Sequence, residues 1–212
     1  SQDQVCATYG GLNRISFLPN GDFTVQPMTL TQNRLAELNS HLMLFYTGIK
    51  RTASDVASSY VTSMDERAAL LHTMRDCVEQ SCEILNGGQS LVPFGELLHQ
   101  AWLAKRALSD KVSNARVDAM FAEARAAGAI GGKLLGAGGG GFILLFVPPE
   151  KQASVRKQLN RLIQVPFEFE FGGSQIIFHD VEEDFARHDK ARARQQVEAF
   201  SELDVNAPGA ST

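Results

Sequence analysis

The stretch from Gly131 to Gly141 reads GGKLLGAGGGG and leads into the apolar run FILLFV at residues 142–147. Seven of its eleven residues are glycine. In regular structure, glycine costs roughly 0.5–1 kcal/mol relative to alanine, because it loses more conformational freedom on folding. A chain keeps so many glycines where its backbone turns through positive φ or comes very close to another group. Because successive N–H groups of such a turn bind anions, the stretch indicates a loop that approaches phosphate.

The elements around this glycine run narrow the kind of loop. Residues 136–141 satisfy G-x-G-x-x-G, but a dinucleotide fingerprint needs a strand before the loop and a helix after it. The sequence instead predicts a helix before the run, at residues 114–127, and a strand after it, at residues 142–147. A Walker loop is excluded because no Gly-Lys-Ser or Gly-Lys-Thr ends the run. The alternative to a phosphate-approaching loop is a helix-to-strand turn packed under a neighbour.

Composition excludes several classes of protein. The 212 residues are 44% hydrophobic and 21% charged, which is typical of a globular protein. The net charge of −4 argues against non-specific nucleic-acid binding, which needs a basic face. No apolar stretch approaches the roughly 18 residues of a membrane span, so no membrane partner is expected. The odd number of cysteines, three, indicates free thiols in a reducing compartment.

Hydrophobic periodicity predicts an α+β fold. Residues 13–28 are expected to form a hairpin, because Asn20-Gly21 separates two alternating runs. The other predicted strands are residues 41–46, 142–147, 166–171 and 175–178. The predicted helices are residues 52–62, 63–86, 93–111, 114–127 and 150–163. This order predicts helices packed on one face of a mainly antiparallel sheet.

At this point the residues resemble a known family. Residues 132–141 and the apolar strand after them resemble the third motif of the GHMP small-molecule kinases, the superfamily of galactokinase and mevalonate kinase. Gln2 and Asp3, with Gly10 and Gly11, resemble the segment that carries the catalytic aspartate in that superfamily. Residues 44–54 and 171–178 resemble the branch that phosphorylates D-glycero-D-manno-heptose 7-phosphate. The resemblance covers about residues 1–185.

The resemblance implies an α+β fold, namely a ferredoxin-like GHMP kinase C-terminal domain with extra helices. Residues 1–30 would be the tail of the N-terminal kinase domain, a helix with the catalytic aspartate followed by a hairpin. Residues 31–185 would be the C-terminal domain, and residues 186–212 a charged helical or disordered tail. The family's Gly-Leu-Gly-Ser-Ser loop, which wraps the ATP phosphates, does not occur in the sequence. The chain is therefore expected to be a C-terminal portion that binds ATP weakly alone.

The activity implied by the resemblance is transfer of the ATP γ-phosphate to the anomeric hydroxyl of heptose 7-phosphate. ATP and Mg²⁺ are the implied cofactors, with the Mg²⁺ ligands expected in the N-terminal part of the same kinase. The protein would be cytoplasmic, would serve lipopolysaccharide or capsule biosynthesis, and could form a homodimer. Two alternatives stay open, another GHMP sugar kinase of galactose or fucose type, and a non-catalytic regulatory or interaction domain.

The resemblance also assigns candidate site residues. Asp3 would accept or orient the hydroxyl proton, although a carboxylate in a first helical turn is common for structural reasons. Arg51 would clamp the substrate phosphate, since arginine binds phosphate bidentately, but a solvated basic pair with Lys50 is the alternative. Lys133 is interpreted as a helix-end residue, and no metal ligand is assigned. The residues expected to bind substrate are Gln2, Gly10, Gly11, Thr47, Arg51 and Ser54. The residues expected to form the nucleotide loop are Gly136, Ala137, Gly138, Gly139 and Gly140.

Overall fold

A computed structural model of the chain describes residues 2–50, 67–178 and 186–193. The described helices are α1 (Gln2–Tyr9), α2 (Gln32–His41), α3 (Ala68–Asn86), α4 (Val92–Arg106), α5 (Ala115–Ala126), α6 (Gln152–Gln158) and α7 (Ala186–Arg192). The described strands are β1 (Asn13–Phe17), β2 (Phe23–Pro27), β3 (Leu42–Tyr46), β4 (Gly131–Leu134), β5 (Phe142–Phe146) and β6 (Ile163–Val165). The chain divides into two compact units, residues 1–174 and residues 175–212, and α7 belongs to the second.

The larger sheet has four strands in the order β4-β5-β3-β6, and every neighbouring pair is antiparallel. If β3, β4, β5 and β6 are renumbered 1 to 4 in chain order, their order across the sheet is 2-3-1-4. Helices lie in the connection between β3 and β4 and in the connection between β5 and β6. This arrangement is the β-α-β-β-α-β topology of ferredoxin-like folds. The predicted fold class is therefore confirmed, and α3, α4 and α5 all fall in the first connection.

Both faces of this sheet are covered by apolar side chains. On one face, Phe45 and Leu145 join a cluster with Trp102 of α4, which stacks on Phe121 of α5 at 5.1 Å between ring centroids. On the other face, Phe146 packs in a second cluster with Leu38 of α2. The prediction of helices on one face was wrong. The physical reason is that β5 is apolar at every position, so its side chains offer apolar packing surface on both faces of the sheet, with Phe142 at its start still 39% exposed.

A two-stranded sheet precedes the larger one. β1 and β2 pair antiparallel from Asn13 opposite Pro27 to Phe17 opposite Phe23. The turn lies at Asn20-Gly21, where Gly21 has a φ of +90° that glycine adopts without strain. This hairpin agrees with the one that the Asn-Gly pair predicts. Helix α1, which precedes the hairpin, contacts it through Tyr9. The Tyr9 ring meets the Phe23 ring of β2 edge to face, with 6.4 Å between the ring centroids.

The C-terminal part of the fold differs from the prediction. The helix predicted for residues 150–163 is α6, which spans only Gln152–Gln158 after a short 3₁₀ turn at Pro149–Lys151. The described residues 166–178 contain no strand, although two were predicted there. Pairing of β6 with β3 ends at Val165, because Pro166 has no N–H to donate to a ladder. The predicted helix at residues 52–62, and the predicted start of α3 at Ser63, lie outside the described residues.

Candidate functional site

The glycine run forms the loop of an antiparallel hairpin. Its first residues, Gly131–Leu134, are strand β4, and residues 135–141 connect β4 to β5. The Leu135 N–H donates to the Phe142 carbonyl at 2.9 Å, so the ladder continues into the loop. The predicted helix-to-strand turn was therefore wrong, because α5 ends at Ala126 and a strand enters the loop. The dinucleotide fingerprint stays excluded, since a strand and not a helix follows the loop.

The segment before α5 holds one side of this loop. The Gly139 N–H donates to the Val112 carbonyl at 2.7 Å, and the Asn114 side-chain amide donates to the Gly139 carbonyl at 2.9 Å. Lys105, in the last turn of α4, donates through Nζ to the Gly136 carbonyl. Gly136 and Gly139 are thus hydrogen-bonded to α4 and to the segment that begins α5.

The end of β3 holds the other side of the loop. The Gly141 N–H donates to the Ile49 carbonyl at 3.1 Å, and the Gly141 carbonyl accepts from the Thr47 N–H at 2.9 Å and from the Thr47 hydroxyl at 2.8 Å. The same hydroxyl accepts from the Ile49 N–H at 3.2 Å. Thr47 is only 6% exposed. Its hydroxyl, which sequence analysis assigned to substrate binding, is engaged in fixing the glycine loop.

The close approach of the loop backbone to neighbouring carbonyl groups explains why positions 138 and 140 are glycine. A Cβ at Gly138 would lie 2.7 Å from the Val112 carbonyl oxygen, and Gly138 also has a φ of +115°. A Cβ at Gly140 would lie 2.5 Å from the Ile49 carbonyl oxygen. Any side chain at either position would push the loop away from the segment that anchors it. The glycines therefore let the loop backbone lie directly on its neighbours.

The anchors leave several loop amides without a protein partner. Within the described residues, the N–H groups of Gly136, Ala137, Gly138 and Gly140 donate to no protein acceptor. Three of them precede the Gly139 amide, and the Gly140 amide lies between those of Gly139 and Gly141, which are bonded to carbonyls. Unpaired backbone amides that are close in sequence and held by positive-φ residues form a concavity that attracts anions. The arrangement is chemically suited to hold phosphate oxygens.

Asn114 has two separable functions in this structure. Its Oδ1 caps α5 by accepting from the N–H groups of Arg116 and Val117, both at 3.1 Å, while its Nδ2 holds Gly139. In Asn114→Ala we expect the whole protein to lose about 1 kcal/mol for the cap and about 1 kcal/mol for the tether. In Asn114→Ser we expect only the second loss, because serine is an equally good cap with too short a side chain to reach Gly139. Urea denaturation measures both losses, and wild-type stability of the Asn114→Ser variant would contradict the tether.

The charge of Asp3 acts on Lys133 although 130 positions separate them. Asp3 lies exposed in the first turn of α1, and Lys133 lies half-buried on β4, opposite Leu144. Burial lowers the pKa of the Lys133 amine from its usual value, and the negative charge of Asp3 opposes this shift. The interpretation of Lys133 as a helix-end residue was wrong, since it is in a strand.

Gly10 and Gly11 lie at the other end of α1. Both have positive φ, +64° and +68°, and a Cβ on Gly10 would lie 2.5 Å from the Gly173 amide nitrogen. The two glycines line a cavity of about 390 Å³ together with Tyr9 and Phe171. Seven residues of helical rise place this cavity about 10 Å from Asp3. The structure therefore separates Gly10 and Gly11 from Gln2 and Asp3 by the length of the helix.

The predicted site residues thus fall into three places. Gln2 and Asp3 lie in the first turn of α1. Thr47 lies with the glycine loop, and Gly10 and Gly11 lie at the end of α1. Arg51 and Ser54 are outside the described residues. Sequence reasoning missed the contacts of Asn114 and Lys105 with the loop, because only the capping pattern of Asn114 is visible in sequence and the loop partners are distant along the chain.

Two further properties of the described residues concern metals and membranes. Residues 2–50, 67–178 and 186–193 contain no group of three or more histidine, cysteine or acidic side chains placed to hold a metal ion. These residues therefore supply no cluster of Mg²⁺ ligands. In the same part of the chain, no helix combines the length and the apolar character that crossing a bilayer requires.

Comparison with known proteins identifies this architecture. Residues 75–164, which run from α3 through the glycine hairpin to β6, match the family described as GHMP kinases C terminal. This part of the chain is similar to a GHMP kinase C-terminal domain. The glycine hairpin lies within the matched residues, whereas β3 of the same sheet precedes them.

The GHMP relatives include sugar kinases. The chain is 29% identical over 163 residues to D-glycero-alpha-D-manno-heptose 7-phosphate kinase of Campylobacter jejuni, covering 76% of this chain and 48% of the relative. It is 29% identical over 177 residues to the bifunctional fucokinase/GDP-fucose pyrophosphorylase of Arabidopsis thaliana, covering 80% of this chain and 16% of that protein. The chain thus spans about half the length of the first relative and a smaller part of the second.

Solved structures agree on the fold. A D-glycero-D-manno-heptose 1-phosphate kinase from Bacteroides thetaiotaomicron aligns with a TM-score of 0.57 and 26% identity, covering 79% of this chain and 45% of that one. A mevalonate kinase from L. major aligns with a TM-score of 0.60 over 76% of this chain and 50% of that one. At 22% identity, the second likeness concerns the fold alone. Heptose kinases thus occur both among the relatives found by sequence and among the similar solved structures.

Proposed function

We propose that the protein is an ATP-dependent sugar kinase that phosphorylates the anomeric hydroxyl of D-glycero-D-manno-heptose 7-phosphate. The observation that carries the proposal is the glycine hairpin, whose loop holds four backbone amides without a partner among the described residues. Similarity to the Campylobacter heptose kinase over 163 residues supports the choice of sugar. Since this chain spans about half of that relative, the activity is proposed for the whole protein.

In the proposed reaction, the anomeric hydroxyl oxygen attacks the γ-phosphorus of ATP. A bond forms between this oxygen and phosphorus, the bond from phosphorus to the β–γ bridging oxygen breaks, and ADP leaves. The hydroxyl proton passes to the Asp3 carboxylate. Phosphoryl transfer requires mainly placement and neutralisation of charge, because its transition state is loose. Gly136 to Gly140 would supply backbone donors near the transferring phosphoryl group.

Other parts of the proposed site lie outside the described residues. We assign the ATP phosphate loop and the Mg²⁺ ligands to a part of the whole protein other than residues 1–212. Mg²⁺ would neutralise charge on the ATP phosphates. Gln2, Gly10, Gly11, Thr47 and Ser54 remain proposed substrate contacts, with Gly10 and Gly11 reached by the substrate only through the cavity at the end of α1.

Arg51 is the proposed clamp for the 7-phosphate. In Arg51→Ala of the whole protein, we expect KM for the phosphorylated heptose to rise at least about tenfold, because hydrogen bonds to charged groups contribute about 1.5–3 kcal/mol. The KM for ATP should stay unchanged. Arg51→Lys keeps the charge without the bidentate geometry and should give an intermediate KM. Steady-state kinetics measure both constants, and an unchanged KM for the sugar in Arg51→Ala would remove the clamp.

A second candidate function is a kinase for free L-fucose. It is favoured by the fucokinase relative, which covers 80% of this chain. The two functions differ in whether the acceptor already carries a phosphate. Measuring ADP release by the whole protein with heptose 7-phosphate, L-fucose and D-galactose separates them. We expect the highest kcat/KM with heptose 7-phosphate. Turnover of L-fucose alone would replace the proposed substrate, and no turnover with any sugar would favour a non-catalytic domain.

A further inference from the structure

Helix α1, which carries Asp3, buries very little of its own surface. Val5 is its only buried residue, and the other residues of the helix are exposed. Its last residue, Tyr9, is 50% exposed and contacts the hairpin through its ring. A surface helix usually takes its position from a stripe of buried apolar side chains. Because α1 shows no such stripe within the described part of the chain, its position depends on other contacts.

The segment at residues 170–174 supplies such contacts at the end of α1. The Ser174 N–H donates to the Thr8 carbonyl at 3.0 Å, and the Glu170 carbonyl accepts from the Gly11 N–H at 2.5 Å. The last carbonyl groups of a helix have no partner within the helix. A segment far away along the sequence therefore completes the hydrogen bonding at the C-terminal end of α1.

Glycine allows the two backbones to lie this close together. Gly10 and Gly173 both have positive φ, +64° and +60°. A Cβ on Gly173 would lie 2.3 Å from the Thr8 carbonyl oxygen, and a Cβ on Gly10 would lie 2.5 Å from the Gly173 amide nitrogen. The Glu170 carboxylate accepts from the Gly173 N–H at 2.9 Å and from the Gly172 N–H. The contact is thus made by backbone on both sides, and one carboxylate fixes the turn of the 170–174 segment.

The 170–174 segment is itself anchored on the larger sheet. Phe169, which precedes it, packs against the cluster that contains Phe146 of β5 and Leu38 of α2. The glycine loop connects β4 to the same strand β5. The 170–174 segment therefore links the helix that carries Asp3 to the sheet that carries the glycine loop.

The length of α1 makes the place of Asp3 sensitive to this contact. Asp3 lies about 10 Å from Gly10 along the helix axis, so a tilt of roughly 10° at the C-terminal end moves Asp3 by about 2 Å. A displacement of about 1 Å at a reacting group can lower a rate by about 10²-fold. A small change in the 170–174 segment therefore becomes a large change at the carboxylate.

We propose that Glu170 and Gly173 are positioning residues that orient the Asp3 carboxylate through α1. This inference rests on the proposed sugar-kinase function, in which Asp3 accepts the hydroxyl proton. In this role neither residue contacts the substrate. The 170–174 segment holds the end of α1, and α1 holds Asp3 at a fixed place relative to the glycine loop.

The first test follows α1 without using activity. Gly173→Ala places a Cβ against the Thr8 carbonyl. We expect the α1 amides of the whole protein to exchange hydrogen at least about tenfold faster, because the helix end loses its partners. Gly21→Ala is the matched control, since it also has positive φ but no atom lies within 4 Å of its Cβ. Unchanged exchange of the α1 amides in Gly173→Ala would overturn the inference, whatever reaction the protein catalyses.

The second test measures how the loss divides between kcat and KM. In Gly173→Ala we expect kcat to fall at least about tenfold, because the base is displaced, while KM for ATP stays unchanged. Glu170→Ala removes the acceptor of two turn amides and should lower kcat by a smaller factor. It carries the comparison if Gly173→Ala does not fold. Glu168→Ala changes an equally exposed glutamate and should leave kcat unchanged.

Combination with Asp3→Asn separates positioning from a general loss of stability. If the 170–174 segment acts through Asp3, adding Gly173→Ala to Asp3→Asn lowers kcat little further. Losses that multiply, or wild-type kcat in Gly173→Ala and Glu170→Ala, would overturn the inference while the sugar-kinase function stands. A wild-type protein that turns over none of the sugars would instead overturn the proposed function, and hydrogen exchange would still decide whether the segment holds α1.

Discussion

Asp3→Asn in the whole protein is expected to lower kcat by about 10²–10⁴-fold, the contribution of a positioned general base. The amide has nearly the shape of the carboxylate but cannot accept the hydroxyl proton. KM values should change much less, because Asp3 is proposed to act on the proton and not on the sugar's phosphate. The measurement is steady-state ADP release with heptose 7-phosphate and ATP.

A control separates this loss from a structural effect of Asp3. An acidic residue in a first helical turn stabilises the helix by about 0.3–1 kcal/mol, so its loss alone leaves the protein folded. Asp76→Asn removes the same charge from an exposed position on α3 and should leave kcat unchanged. Turnover within threefold of the wild type in Asp3→Asn would remove Asp3 from the general-base role and leave it a helix-end carboxylate.

Gly131→Ala is expected to destabilise the whole protein by about 3 kcal/mol. A Cβ at this position would lie 1.9 Å from the Gly95 carbonyl oxygen and 3.0 Å from the His99 Cβ, both on α4. Non-bonded carbon and oxygen atoms stay more than about 3 Å apart, so α4 and β4 would have to separate by roughly 1 Å. The mutual approach of Gly95 and Gly131 is therefore a close backbone contact that no side chain allows.

Gly88→Ala is the matched control for this prediction. Gly88 is exposed, and a Cβ there would meet no atom within 4 Å. Its substitution should change the free energy of unfolding by less than about 0.5 kcal/mol, as is usual for surface sites. Urea denaturation of both variants and of the wild type measures the two changes in the free energy of unfolding. Equal stability of the Gly131→Ala and Gly88→Ala variants would show that α4 and β4 adjust freely.

Local sequence signals predicted the local structure well. The Asn20-Gly21 turn predicted the hairpin, and Asn114 predicted the start of α5, because both depend on residues within one turn of the chain. The strand β4 was missed because it is short and half glycine, and glycine is depleted in strands. It forms because β5 pairs with it and α4 covers it. That information lies in residues far away along the sequence.

The alternation of burial predicted around Phe167 and Phe169 is present, but the strand predicted from it does not form. Phe167 and Phe169 are half-buried while their neighbours are exposed, as the alternation of this segment predicts. The segment forms no ladder, because a strand needs a partner and Pro166 has ended the pairing with β3. For the candidate site, resemblance named Asp3 and the glycine loop, but the bonds of Asn114 and Thr47 to that loop depend on how distant segments pack. No local pattern contains that packing.

The anchoring of the glycine loop determines when its conformational entropy is lost. Four of its glycines, Gly136, Gly138, Gly139 and Gly141, have positive φ, and a free loop of this composition would sample many other states. Here the bonds from Val112, Asn114, Thr47 and Ile49 restrict the loop as the protein folds. An incoming phosphate therefore meets amides that are already ordered, and its binding does not include the cost of ordering them.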